Sequence, residues 1–91
     1  MSDEPWRLVV AASAERPLQR LPAKATAAVV EFMLGPLTDN WHRVGHPLRY
    51  ELLGLWSARR GPYRVVYELD EAAKTLQVLR IDHRADVYRP L

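Results

Sequence analysis

Three guanidiniums surround a tight turn in Arg59-Arg60-Gly61-Pro62-Tyr63-Arg64, and Asp82-His83-Arg84 followed by Tyr88 adds an imidazole, another cation and a phenol near the C-terminus. Such a set can grip a phosphodiester and move protons around it. A guanidinium presents a planar fork that matches phosphate and stays charged when partly desolvated. An imidazole with an ordinary pKa near ~6.5 gives or takes a proton near neutrality. No carboxylate cluster or metal-ligand cluster competes for the role, and no Gly-rich phosphate loop, Ser-His-Asp order or HExxH pattern occurs. The expectation is chemistry without a metal or a cofactor.

The elements that must position these groups read as follows. Trp6 to Ala11 is a short strand candidate with Trp6, Leu8 and Val10 on one side. Ser13 can cap a helix running to about Leu21, in which Pro17 sits awkwardly. Pro22 suits the first turn of the next helix, Ala23 to Leu34, whose Ala25, Ala28, Val29, Phe32 and Met33 form one core-facing stripe. Gly35-Pro36 is expected to end that helix. Pro36 to Gly54 reads mostly as loop, pinned by Trp41, Val44 and Leu48. Leu55 to Arg59, Tyr63 to Leu69 and Thr75 to Asp82 read as three strands of an antiparallel meander. The order β-α-α-β-β-β, with the first strand free to join a sheet edge, gives an α+β fold with a helical hairpin packed on one face of an antiparallel sheet.

Ninety-one residues make one domain spanning 1–91, with a hydrophobic content of 48%. Cysteine is absent, which excludes disulfides, thiolate metal sites and a cysteine nucleophile. The acidic N-terminus does not read as a signal peptide, and the apolar-looking run Ala25 to Leu34 is too short to span a membrane, so a cytoplasmic protein with no membrane association is expected. Net charge is only +2, but residues 43–64 carry five arginines against Glu51 alone, and eleven of the thirteen basic residues are arginine. A solvated basic face is the commoner meaning of such a surplus; its concentration in one turn-and-strand region sets a nucleic-acid partner level with that alternative.

Strand alternation puts Tyr63, Val65, Tyr67 and Leu69 on one face of the middle strand and Arg64, Val66 and Glu68 on the other. In the last strand Val78, Arg80, Asp82 and Arg84 share a face, with Leu79, Ile81 and His83 on the other. Arg64 and Arg84 can then approach across the sheet, where two guanidiniums repel unless an anion sits between them. The bland alternatives are surface pairs of Arg64 with Glu68 and of Arg84 with Asp82 or Asp86, a structural His83, Tyr88 as an aromatic plug, and Trp41 and Trp56 in the core.

Arg43-Val44-Gly45-His46-Pro47-Leu48-Arg49, the string Leu53 to Tyr67 with its Ser-x-Arg-x-Gly-x-Tyr-Arg-Val-x-Tyr pattern, and Asp82-His83-Arg84…Val87-Tyr88 together resemble the RelE/ParE superfamily of toxins from bacterial type II toxin–antitoxin pairs. The similarity is nearest to the RelE branch of actinobacterial type and covers nearly the whole chain. It implies a metal-independent, ribosome-dependent mRNA endonuclease (an mRNA interferase) that enters the ribosomal A site, neutralised by a cognate RelB-like antitoxin, as a homodimer or a toxin–antitoxin hetero-oligomer. Carried over by motif, Arg64 and Arg84 hold the scissile phosphate and Tyr88 stacks on or deprotonates near the substrate. His83 and Tyr88 rank ahead of His46 as general base. Arg43, His46, Arg49, Arg59 and Arg60 fall in the RNA-binding region. The chain departs from some RelE proteins in offering Leu55 and Ser57 where they carry lysines, and His46 where related chains often carry lysine. The rival readings are a gyrase-inhibiting ParE-type toxin and a catalytically weak toxin that only binds its antitoxin.

Overall fold

The turn at Gly61-Pro62 organises the sheet. A computed structural model of the chain describes residues 6–83. Strands β3 (Leu55–Arg60) and β4 (Tyr63–Asp70) are joined there by two residues, with Arg60 opposite Tyr63 and Gly61 at φ 60°. Glycine is suited to that first central position, because an L side chain resists positive φ. Strand β5 (Thr75–His83) continues the meander. The N-terminal strand β1 (Arg7–Val10) joins the far edge parallel to β5, with Leu8 opposite Leu76 and Val10 opposite Val78.

The segment expected to be loop contains structure of its own. It folds into a short helix α3 (Trp41–Val44), a strand β2 (Gly45–Pro47) and a single 3₁₀ turn (Tyr50–Leu52). Strand β2 pairs antiparallel with β3, so the sheet has five strands in the order β1-β5-β4-β3-β2. A three-residue edge strand is too short to leave an alternation pattern; its pairing comes from the partner strand.

Helix α1 (Ala12–Arg20) runs through Pro17. Ser13 does not cap it: Ala11 holds that position, and the Ser13 hydroxyl donates instead to the Leu79 carbonyl at 2.7 Å. That carbonyl belongs to a register shift. Val66 pairs with Arg80 but Tyr67 pairs with Val78, leaving Leu79 as the extra residue of a β-bulge. The bulge corrects the expected facing of β5, because Leu76 and Val78 before it and Ile81 after it all turn into the core.

Helix α2 (Ala23–Phe32) buries the expected stripe at Val29 and Phe32. It does not stop at Gly35-Pro36. A five-residue π-helical turn, Met33–Leu37, widens the helix around Pro36 and carries Leu37 into the core. Proline lacks an N–H and its ring crowds the carbonyl four residues back; the wider turn accommodates both. The Thr38 hydroxyl donates to the Leu34 carbonyl at 3.0 Å and lies 3.3 Å from that of Gly35, which supports the turn. Thr26 ties the two helices together through the Leu18 and Leu21 carbonyls, at 3.1 and 3.2 Å.

The helices cover one face of the sheet, where Ala14, Leu18, Val29, Met33 and Leu37 pack against Ala58, Val65, Tyr67, Leu76 and Val78. At one end of this layer Trp6, Trp41 and Trp56 meet edge to face, with ring centroids 5.5 and 5.1 Å apart. Tyr67 is fully buried and donates its hydroxyl to the Trp41 carbonyl at 2.8 Å, fastening α3 to the sheet. Burial pushes its phenol well above its ordinary pKa. Among the described residues, no helix is long and apolar enough to cross a membrane.

Candidate nucleic-acid interface

Directly opposite residues of paired strands share a face, so register sorts the charged side chains. On the face away from the helices, one row runs Arg59–Arg64–Asp82 across β3, β4 and β5. The next row runs His46–Ser57–Val66–Arg80 across β2 to β5. Ser57 and Val66 are buried, at 1% and 6% exposure. Two small side chains thus form a floor between His46 and Arg80, where an extended phosphate chain can approach the sheet.

Arg59 and Arg64 face each other across the ladder. Like charges at that position destabilise a strand pair. Asp82 sits on the other side of Arg64 in register, but its carboxylate is held by Arg80 at 3.0 Å. Arg59, Arg60 and Arg64 make no ion pair among the described residues. Two unneutralised guanidiniums side by side are stabilised by an anion between them, and a bidentate arginine on phosphate is among the stronger charge-assisted contacts.

The remaining sequence candidates divide by place. His83 lies opposite Tyr63, with ring centroids 5.3 Å apart, in a row with Arg60. That row alternates with the Arg59–Arg64 row, so register turns the imidazole of His83 to the face away from Arg64. His46 is on the Arg64 face, in the row beside it. Arg43 is exposed in α3, just before the Gly45–Ala58 pair, at the arginine end of β3. Arg49 follows the Leu48 N–H to Leu55 carbonyl bond (2.8 Å) at the opposite end of β3. Five residues of strand, about 17 Å, separate it from the arginine turn. Arg84 and Tyr88 lie outside the described residues, and the expected approach of Arg84 to Arg64 lies outside them too.

The sequence reading set Arg80 on one face with Asp82 and Arg84 but did not count it among the site residues; it shares the face of Arg64 and holds Asp82. Its even spacing from Asp82 was the available signal. Among the described residues, no group of three His, Asp or Glu side chains is arranged to hold a metal ion.

The sequence matches, over residues 8–88, the family described as the ParE toxin of type II toxin–antitoxin system, parDE. It is 51% identical over 87 residues to Toxin RelE of Mycobacterium tuberculosis, covering 96% of this chain and 90% of that protein. Toxin RelG of the same organism is 49% identical over 85 residues, covering 93% of this chain and 98% of that one. In the crystal structure of the toxin–antitoxin complex RelBE2 from Mycobacterium tuberculosis, one chain superposes with a TM-score of 0.86 at 47% identity, covering 89% of this chain and 100% of that one. A chain of the archaeal RelE–RelB complex from Pyrococcus horikoshii shares the fold, with a TM-score of 0.66 at 23% identity and coverage of 89% and 97%.

Proposed function

The chain belongs to the ParE toxin family of type II toxin–antitoxin systems, within the RelE/ParE superfamily, and from that premise we propose that it is a ribosome-dependent mRNA endonuclease of the RelE kind. It works in the cytoplasm and is neutralised by a RelB-like antitoxin. The observation that carries the reading is the Arg59–Arg64 pair, facing across the ladder with no ion pair to a described carboxylate, on a sheet face that the helices leave uncovered.

The reaction fits those groups. The 2′-hydroxyl of the RNA attacks the adjacent phosphorus. The O2′–P bond forms as the P–O5′ bond breaks, leaving a 2′,3′-cyclic phosphate and a free 5′-hydroxyl. Negative charge builds on the phosphoryl oxygens, and guanidiniums already fixed on a strand stabilise it without reorganising. Arg64, with Arg84, holds the scissile phosphate. Arg59 and Arg43 guide the flanking backbone, while register turns Arg60 to the His83 side of the sheet. A base must take the 2′-hydroxyl proton, and an acid must protonate the leaving oxygen. Tyr88 and His46 are the candidates we favour, since His46 shares the Arg64 face and His83 alternates away from it. A phenol acts as a base only where nearby cations lower its pKa.

One observation favours a second reading: the matching family description is that of ParE, and ParE-type toxins act on DNA gyrase rather than on RNA. Induced expression followed by parallel mapping of mRNA 5′ ends and of covalent gyrase–DNA complexes separates the two. New mRNA ends within codons support the nuclease; gyrase–DNA complexes with intact mRNA refute it.

A further inference from the structure

The sheet has a second pole. At the end opposite the arginine turn, a cleft of about 720 Å³ is lined by Trp41, Gly54, Trp56, Leu69 and three carboxylate residues, Glu68, Asp70 and Glu71. Among the described residues, no basic side chain lines it. Glu68 and Glu71 make no ion pair with a described residue, and Asp70 only accepts the Ala73 N–H at 3.0 Å within its own turn. A cleft with this charge repels RNA. It suits a cation, and the indoles that line it attract one by a different force. The Lys74 ammonium already lies 5.4 Å from the ring centre of Trp6, which continues the same aromatic strip.

A separate observation points to a partner rather than a free ion. The loop that leads into the cleft at Gly54 carries Tyr50, Leu52 and Leu53, at 90%, 46% and 80% exposure. Three of the five large exposed apolar side chains among the described residues are therefore consecutive or nearly so. The backbone is turned outward by positive φ at Tyr50 (58°) and Gly54 (99°). A tyrosine in the left-handed region costs on the order of 1 kcal/mol, and at 90% exposure Tyr50 gains little packing from the described residues to repay it. Contiguous exposed apolar side chains beside a polar rim mark interaction sites.

We propose that this pole docks a polypeptide segment that is both basic and apolar. A lysine or arginine of the segment enters the cleft between Glu68, Asp70 and Glu71, and its apolar neighbours cover Tyr50, Leu52 and Leu53. The arginine pole lies about five strand residues, or about 17 Å, away. A protein partner held here therefore leaves Arg59 and Arg64 accessible, and both poles can be occupied together. The proposal is independent of the reaction at the arginine pole.

The test uses the full chain, ¹⁵N-labelled, titrated with synthetic twelve-residue peptides in a glycine-serine background. One carries two arginines and three leucines, the second replaces the arginines with glutamates, and the third replaces the leucines with serines. The first peptide is expected to shift the indole N–H signals of Trp41 and Trp56 and the amides of 68–71 saturably. The other two should bind at least tenfold more weakly. Combining Glu68→Gln, Asp70→Asn and Glu71→Gln removes the charge while keeping the turn acceptor at 70, and should weaken the first peptide tenfold or more with the rest of the spectrum unchanged. Equal binding of the glutamate peptide, unchanged affinity in the neutralised variant, or shifts centred elsewhere would overturn the proposal. So would a single-stranded RNA dodecamer that shifts the same indoles.

Discussion

Replacing Gly45 with alanine sets a methyl group against the Tyr67 hydroxyl. A Cβ built at Gly45 collides with that oxygen, lies 3.0 Å from Tyr67 Cζ and lies 3.1 Å from the Ser57 carbonyl oxygen. The carbonyl belongs to the ladder and cannot move alone. The tyrosine is fully buried and tied to the Trp41 carbonyl at 2.8 Å. Overpacking of this kind costs about 1–3 kcal/mol. If the ring shifts, its hydrogen bond is lost as well, at about 1 kcal/mol. Gly45→Ala should therefore destabilise by about 2–4 kcal/mol, which in a domain of this size lowers Tm by roughly 10–30 °C. Tyr67→Phe alone should cost only about 1 kcal/mol, because the Trp41 carbonyl still accepts the Gly45 N–H. The double variant removes the worst collision while leaving the ring carbon close. Its cost should fall about 1–2 kcal/mol short of the sum of the two single costs. Urea and thermal unfolding of the four proteins, followed by tryptophan fluorescence and circular dichroism, measure the cycle. Strict additivity, or a Gly45→Ala protein within 0.5 kcal/mol of the parent (roughly the spread of neutral surface changes), would refute the packing argument. The site has a stake in the result, since this contact sets the strand that carries His46.

Three further outcomes follow from the same geometry. The Tyr67 pKa is raised by burial above its ordinary 10.0, so the neutral phenol contributes its full stability below about pH 10, and that contribution is lost as pH rises further. The stability gap of about 1 kcal/mol between the parent and Tyr67→Phe should close above pH 10 and then reverse, with a limiting slope of about 1.4 kcal/mol per pH unit, as read from urea midpoints. Asp82→Asn removes the carboxylate beside Arg64 and frees Arg80, so single-stranded RNA measured by fluorescence anisotropy at low salt should bind about twofold to fivefold more tightly. Ser13→Ala removes the bond to the bulged Leu79 carbonyl and should cost about 0.5–1.5 kcal/mol in urea unfolding, with no change in RNA affinity.

The hairpin of β3 and β4 was legible because alternation and a Gly-Pro turn agree, and both act over a few residues. The helical stripe through Val29, Phe32 and Met33 was legible for the same local reason. The bulge at Leu79 was not. Val78, Leu79 and Ile81 are all apolar, so nothing in their order says which one drops out of register. Nor could the sequence show that Pro36 would be absorbed by a wider helical turn, since burial of Leu37 decides that. The cationic turn could be read directly, but its arrangement could not. Which arginine faces which depends on register, and register set Arg59 against Arg64, with Asp82 rather than another cation on the far side.

The central claim is that fixed arginines on the uncovered sheet face hold a phosphate during RNA scission. Ribosomes programmed with a defined mRNA and paused with a known codon in the A site, incubated with the purified toxin, test it most directly. The expected result is a cut within that codon bearing a 2′,3′-cyclic phosphate, a single-turnover rate lower by at least about a hundredfold in Arg64→Ala, and unchanged thermal unfolding of that variant. Cleavage by Arg64→Ala at the parent rate, or no cleavage by the parent at any concentration, would contradict it.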